Sequence, residues 1–259
     1  MDLSIIIPVF NSENILDTLI INLKKNIKSN KIKKFEVILV NDASSDQSWE
    51  KIVQLKKKFK FIKGIDMALN VGQHKAIFAG LKLSSGKKII TMDDDMQHSP
   101  FYLMAICKKL DNYDCCYTIY LKRKHALWKR AISYLNSVFS NYIFNKPSSV
   151  YLSSYRGFKS EINDKMILEK KSILFLDALI LKFSKKLCVI NVRHRDRHEG
   201  ESNYKILNLF SLWFDMIENF HFYPIRLGSL VGLIFFSFVK IIRINSKRNN
   251  KHKIKQILK

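Results

Sequence analysis

Acidic residues are scarce in this chain. Its 259 residues carry 22 Asp and Glu against 45 Lys and Arg, a formal net charge of +23. Between residues 115 and 160 there is no acid at all, beside eight Lys or Arg. Such an excess favours anionic partners: nucleic acid, phosphate-bearing substrates or an anionic membrane surface. Glycine and proline are also few, 8 and 4, which excludes collagen-like and low-complexity classes. The cysteines Cys107, Cys115, Cys116 and Cys188 form no C-x-x-C pair. Neither a zinc site nor a disulfide framework is expected from them, and they read as buried thiols in a reducing compartment. The opening Met1-Asp2-Leu3-Ser4 lacks a basic segment, and the apolar run behind it is too short for a signal peptide. Long apolar runs are scarce as well. Leu227–Val239, extended beyond Lys240 by Ile241 and Ile242, is short of the roughly 20 residues a spanning helix needs.

What is present is enough for a folded domain. The chain is 47% hydrophobic, which excludes disorder and allows a full core. Over the first 120 residues short apolar runs alternate with longer amphipathic ones. Leu3–Val9, Phe35–Val40, Phe61–Met67, Lys88–Met92 and Cys115–Tyr120 read as strands, and the segments near 13–28, 45–59, 73–84 and 99–110 as helices. That alternation predicts an α/β fold, a mostly parallel sheet with helices on both faces. Ligands in such sheets bind beyond the carboxyl ends of the strands, so the polar residues just after each strand matter most.

Two later regions point to a membrane surface. Apolar residues from Leu127 to Ile143 recur at helical spacing within the acid-free, basic stretch. A basic amphipathic helix suits an interface, although a core-facing helix with a solvated basic side would show the same pattern. The Leu227–Ile242 run is followed by a tail in which residues 240–259 hold eight Lys or Arg and no acid, as the positive-inside rule expects of a cytoplasmic segment. An interfacial or re-entrant helix would keep both ends on one side.

Three strand ends carry chemistry. Met92-Asp93-Asp94-Asp95-Met96-Gln97 follows an apolar strand directly. Three adjacent carboxylates repel one another unless a cation neutralises them. Asp93 and Asp95 with the Gln97 oxygen form a hard donor set suited to Mg²⁺ or Mn²⁺ shared with a diphosphate. Val40-Asn41-Asp42-Ala43-Ser44-Ser45-Asp46 ends a second strand. A carboxylate there can accept a base N–H, or it can cap the next helix. Pro8-Val9-Phe10-Asn11-Ser12-Glu13 follows the first strand.

In this order, together with Asn70-Val71-Gly72-Gln73, Ala79-Gly80, Gly86, Pro100, Tyr155-Arg156 and Arg197-His198-Glu199-Gly200-Glu201-Ser202-Asn203-Tyr204, these residues resemble the family 2 glycosyltransferases of the GT-A fold. The resemblance is closest to the dolichyl- or polyprenyl-phosphate sugar transferase branch and covers roughly residues 3–240. It implies a Rossmann-like nucleotide-diphospho-sugar transferase domain over 1–206, with 115–160 facing acceptor or membrane. An interfacial helix at 207–224, a hydrophobic membrane segment at 225–242 and a basic tail at 243–259 complete the expected organisation. It also implies that Pro8, Phe10, Glu13, Asp42 and Asp93 hold the nucleotide, and that Asp93, Asp95 and Gln97 hold the cation. Arg123, Arg130, Arg197 and Ser202 would contact phosphate groups, a task for which bidentate, permanently charged arginine is suited.

The expected activity is metal-dependent inverting transfer of a sugar from a nucleotide-sugar donor to a membrane lipid, most simply polyprenyl phosphate, at the cytoplasmic face of the inner membrane. The alternative acceptor is a lipid-linked saccharide in cell-surface glycan synthesis, and a homo-oligomer is left open. Three departures from the branch bear on this. Ser154 stands where many relatives have Asp, Asn203 where they have Lys, and one hydrophobic run where they have two membrane helices. A phosphate acceptor is already ionised near neutral pH and needs no strong base, whereas a sugar hydroxyl does. Asp95, Asp177 and His194 are the catalytic candidates, the last two as bases. An inactive nucleotide-sugar-binding homologue is a remoter reading. Nucleic acid is not an expected partner, because the carboxylate triplet would repel phosphates without a metal.

The two kinds of membrane signal differ in their response to salt. Basic groups near an anionic bilayer contribute about 1 kcal/mol each and are screened, whereas burying apolar side chains contributes about 25 cal/mol per Å² and is not. The full chain is therefore expected to stay on anionic vesicles through a high-salt wash and to need detergent for release. Release by salt alone in a flotation assay would make 225–242 part of a core.

Overall fold

The computed structural model of the chain describes residues 1–29, 32, 34–120, 150, 152–169, 176–192 and 254–258, the last as backbone. By contacts the chain divides into Met1–Glu201 with Ile254–Lys259, and Ser202–Lys253. All described residues belong to the first unit. The expected helices around 127–143 and at 207–224, and the hydrophobic segment 225–242, lie outside the described residues.

The first unit is built on one eight-stranded sheet: β1 (Leu3–Val9), β2 (Phe35–Asn41), β3 (Ile62–Met67), β4 (Lys88–Thr91), β5 (Cys115–Tyr120), β6 (Arg156–Lys159), β7 (Leu187–Val192) and β8 (Ile254–Leu258), in the order β7-β5-β6-β4-β1-β2-β3-β8. β1 pairs in parallel with β2 and β4, β2 with β3, and β5 with β7. β6 is antiparallel to both β4 and β5, and β8 antiparallel to β3. Six strands therefore end at one edge, and β6 begins there.

The first five strands and the helices between them fall where the hydrophobic pattern puts them. Strand β1 shows why. Its Ile5, Ile7 and Val9 pack with Leu16, Leu19, Ile20 and Leu23 of helix α1 (Leu16–Ser29), while Ile6 faces the other side with Ile38, Ile89 and Ile77. Side chains alternate across a strand, so a strand apolar on both faces must be covered on both. Helices α1, α2 (Ser48–Lys58) and α4 (Leu103–Lys109) lie on one face, and α3 (Gln73–Leu83), α5 (Ser160–Leu168) and α6 (Leu176–Phe183) on the other. Each of these isoleucines contributes roughly 1.5–3 kcal/mol on burial. The expected helix over 99–110 is a 3₁₀ turn, Pro100–Tyr102, running into α4. Pro100 sits at its start, where a missing N–H costs nothing. Within the stretch expected as a basic tail, Ile254–Leu258 forms the edge strand on β3.

Helix α3 approaches the sheet closely because of Gly80. A Cβ there would lie 2.6 Å from Ile6 Cγ2 and 3.1 Å from Val40 Cγ2. This contact sets the height of α3 over the sheet and brings its first residue, Gln73, to the carboxyl edge.

The opposite edge is tied by a buried carboxylate. Glu36, 1% exposed, accepts from Ser4 Oγ at 2.6 Å and from the Ser85 amide and hydroxyl at 2.7 and 3.0 Å. Lys63 Nζ lies 2.6 Å from its other oxygen. Burial alone would raise its pKa, but Lys63 and the serine donors outweigh it and hold the carboxyl below its ordinary 4.5. A depressed folded-state value adds stability above the unfolded pKa and loses it as pH falls through the folded one. Glu36→Gln is expected to cost about 1–3 kcal/mol. By chemical denaturation its deficit should be constant above about pH 5 and shrink below it.

Candidate active site

The loops after β1 and β2 are bound to each other. The Asn11 amide donates to Ser44 Oγ at 3.0 Å, the Ser12 amide to Ser48 Oγ at 2.8 Å and the Glu13 amide to Asp46 Oδ2 at 3.1 Å. In return the Ser45 amide donates to Asn11 Oδ1 at 2.9 Å and the Gln47 amide to Glu13 Oε2 at 2.7 Å. Asn11 and Ala43 hold positive φ, both 54°. For Ala43 that costs roughly 1–3 kcal/mol, a strain that persists only where the surroundings fix it. Phe10 stands at the rim, 40% exposed, and Pro8 ahead of it is half-buried.

Asp42 lies just past β2 and is 4% exposed. Its two oxygens accept from the amides of Val71 and Gly72 at 2.7 and 2.9 Å. Burial raises its pKa, against the pull of those amides and of Lys75. Beside it, Asn41 Nδ2 donates to Asp66 Oδ1 at the end of β3, 2.8 Å away. Asp42 thus shapes the loop that opens α3, where Gly72 takes φ 83°, a conformation glycine adopts without penalty.

The acidic turn after β4 is the centre of this edge. Asp94 Oδ2 accepts from Ser12 Oγ at 2.6 Å and from the Phe10 amide at 3.2 Å, which joins the turn to the first loop. Burial pushes Asp94 up to about 6, helped by Asp93 and Asp95 on either side and opposed by its two donors. Asp93 Oδ1 accepts from Gln73 Nε2 at 2.5 Å and Oδ2 from Ser154 Oγ at 2.7 Å. The Asp93 amide donates to His98 Nδ1 at 3.0 Å. The same nitrogen lies 3.7 Å from Asp93 Oδ2. Among the described residues Asp95 has one oxygen engaged, Oδ1, by the Gln97 amide at 3.1 Å. Met96 between them holds φ 61°. The three non-glycine residues with positive φ among the described residues all sit on this edge.

The turn offers the right donor chemistry for a hard cation but not a complete shell. Among the described residues no three His, Cys, Asp or Glu side chains converge as a metal group. Asp95 presents an open carboxylate oxygen, and a cation there would draw its remaining oxygens from elsewhere.

Beneath the turn lies a buried ion pair. Arg156 and Asp177, 2% and 3% exposed, are in direct contact through Nη1 and Oδ1. Tyr117 OH donates to the same carboxylate oxygen at 2.9 Å, and Arg156 Nη1 also donates to the Ser153 carbonyl at 3.2 Å. Burial pushes His74, in the first turn of α3, down to about 4, in the combined field of Asp177, Arg156 and Asp93.

Of the residues expected at the site, Pro8, Phe10, Glu13, Asp42, Asp93, Asp95 and Gln97 share the carboxyl edge. Asp177 is a buried ion-pair partner at the start of α6. His194, Arg123, Arg130, Arg197 and Ser202 lie outside the described residues. Sequence reasoning did not assign roles to Ser12, Gln73, Asp94 and Ser154. The first three follow strands and could have been weighed as strand-end polar residues. Ser154 precedes an antiparallel strand of four residues and is marked in the sequence only as standing where many relatives have Asp.

With this geometry in hand, comparison with known proteins defines the class. The model of the family described as glycosyl transferase family 2 matches residues 4–167, and the chain belongs to that family. Curated relatives include two named undecaprenyl-phosphate 4-deoxy-4-formamido-L-arabinose transferase. The one from Edwardsiella ictaluri (strain 93-146) is 29% identical over 247 residues, covering 92% of this chain and 75% of that protein. The one from Salmonella choleraesuis (strain SC-B67) is 30% identical over 233 residues, covering 89% and 71%. Among solved structures, glucosyl-3-phosphoglycerate synthase from Mycobacterium tuberculosis, in complex with Mn²⁺, uridine diphosphate and phosphoglyceric acid, superposes with a TM-score of 0.58 at 13% identity. It covers 83% of this chain and 76% of that one. At that identity the likeness shows the α/β fold, which is the GT-A fold.

The Arg156–Asp177 contact separates a structural role for Asp177 from a chemical one. Removing one partner strands a buried charge and costs about 3–5 kcal/mol. Asp177→Asn is expected to lose that much in urea unfolding, and Arg156→Met with Asp177→Leu to recover much of it. An Asp177→Asn protein as stable as the parent but without turnover would make Asp177 a base.

Proposed function

We propose that this chain transfers a sugar from a nucleotide-sugar donor to a membrane-lipid acceptor, most simply polyprenyl phosphate, with inversion and with the help of a divalent cation. One observation carries the reading. The Asp93–Asp95 turn is hydrogen-bonded through Asp94 to the loop after β1, so a carboxylate with an open oxygen stands beside two interlocked strand-end loops. Such a juxtaposition suits a nucleoside on the loops and a diphosphate at the turn. The names of the relatives support the acceptor class, and the Mn²⁺ complex of the fold neighbour supports the cation.

In this reading Phe10 and Pro8 flank the nucleoside, and Asp42 fixes the loop against which it rests. Glu13 ties the loop after β1 to the loop after β2 through the Gln47 amide. Asp95 gives its open oxygen to Mg²⁺ or Mn²⁺, with Gln97 beside it. When bound, the cation neutralises charge building on the departing diphosphate. The acceptor oxygen approaches the anomeric carbon from the opposite face, and the protein contributes positioning and electrostatics. Arg123, Arg130, Arg197 and Ser202 contact phosphate groups of donor or acceptor. A phosphate acceptor suits the site as described, because Asp177 is committed to Arg156. A saccharide hydroxyl would call on a base such as His194. The 115–160 stretch and the 225–242 segment bring the site to an anionic inner-membrane surface, on its cytoplasmic face.

Nucleotide release from a panel of nucleotide-sugars, with and without polyprenyl phosphate, tests the acceptor. Release should depend on the lipid phosphate and be abolished by EDTA. Asp95→Ala should lower turnover by about 100-fold or more while leaving the unfolding midpoint unchanged. Full turnover in EDTA, or in Asp95→Ala, would overturn the cation assignment. Release that requires a lipid-linked saccharide instead would move the enzyme to the alternative acceptor.

A further inference from the structure

The two outer carboxylates of the triplet are held very differently. Asp93 has both oxygens hydrogen-bonded by side chains from other parts of the fold, Gln73 at 2.5 Å and Ser154 at 2.7 Å. Asp95 has one local amide on Oδ1. Both donors to Asp93 are themselves anchored. Gln73 opens α3 directly after the two amides that Asp42 holds. The Ser154 carbonyl accepts from Thr91 Oγ1 at 2.7 Å, which pins it to the last residue of β4. The Asp93 amide is fixed by His98, whose ring stacks on Tyr155 with centroids 5.0 Å apart.

Two anchored donors take one lone-pair site on each Asp93 oxygen and fix the plane of its carboxylate, whereas among the described residues Asp95 has a donor on one oxygen only and is freer to turn toward a cation. A continuous path also runs through the clamp, from Asp42 to Val71 and Gly72, on to Gln73, then Asp93 and Ser154. It connects the loop beside the nucleoside with the turn that receives the diphosphate.

We propose that Gln73 and Ser154 are positioning residues that act through Asp93. They lock its carboxylate before donor or cation arrives, fix the height of the acidic turn relative to the α3 loop, and leave Asp95 as the cation's carboxylate. This rests on the reading of the turn as a cation and diphosphate site, and it adds the two residues that hold the first aspartate of the turn in place. Partners that orient ligands from outside the first layer typically matter by 10–100-fold in affinity or activity.

The test uses the full chain in detergent. Affinity for Mn²⁺ is measured by the electron paramagnetic resonance of free Mn²⁺, alone and with the nucleoside diphosphate bound most tightly among UDP, GDP, CDP and ADP. Turnover is resolved into kcat and KM. Gln73→Ala and Ser154→Ala should each lower kcat by about tenfold and leave Mn²⁺ affinity within about twofold, whereas Asp95→Asn should weaken Mn²⁺ by more than about tenfold. The double variant should lose no more than the worse single one, because both act on one carboxylate. Ser154→Thr, which keeps the hydroxyl donor, should restore kcat. If Gln73→Ala or Ser154→Ala weakens Mn²⁺ as much as Asp95→Asn does, Asp93 is itself a ligand and the proposal falls. It falls equally if neither variant changes kcat, or if Ser154→Thr fails to rescue a protein whose unfolding midpoint is unchanged. Failure of the underlying reading looks different: the parent chain would bind no Mn²⁺ in the presence of any of the four diphosphates.

Discussion

Carboxylates crowded at one edge of a parallel sheet have to be satisfied without cations from the protein. Asp42, Asp93, Asp94 and Asp95 make no ion pair with Lys or Arg among the described residues, in a chain with a net charge of +23. They are held by backbone amides, serine hydroxyls and one glutamine amide. Hydrogen bonds of this kind to charged groups contribute roughly 1.5–3 kcal/mol each, enough to keep the groups in place. Among the described residues they leave these four carboxylates without a paired cation. Such an edge repels a diphosphate unless a cation comes with it, and that physical demand underlies the functional reading.

The hydrogen bonds that satisfy the acids also assemble the site. Most of them cross between segments far apart in sequence: Ser12 to Asp94, Val71 and Gly72 to Asp42, Gln73 and Ser154 to Asp93; the Gln97 amide on Asp95 is local. The loops after β1, β2 and β4 become one surface through them, and the positive-φ residues Asn11, Ala43 and Met96 are held within it. Rigid framing comes from the core below. Gly80 lets α3 lie close on Ile6 and Val40, so that Gln73 arrives at the height of the acidic turn.

The Arg156–Asp177 pair shows how burial can reassign a residue. From its apolar surroundings in sequence, Asp177 looks like a carboxyl poised for proton transfer. In the fold the same apolar surroundings enclose a guanidinium and a phenol that occupy it. A carboxylate so committed is poorly placed to take a proton from an acceptor. That agrees with an acceptor that arrives already ionised.

The five leading strands, the helices between them and the location of the site at the strand ends were legible in the sequence. They follow from period-2 and period-3.6 patterns and from polar residues placed where apolar runs stop, and both signals are local. Asp93 and Asp95 were legible only as a pair, because adjacent carboxylates look alike in sequence. What separates them is a glutamine on α3 and a serine ahead of β6, residues 20 and 61 positions away from Asp93. The antiparallel insertion of β6 between β4 and β5, which delivers Ser154 to the acidic turn, leaves no periodic trace in four residues. Local pattern therefore determined which residues stand at the edge. Only tertiary packing decided which of their oxygens are occupied and which are open.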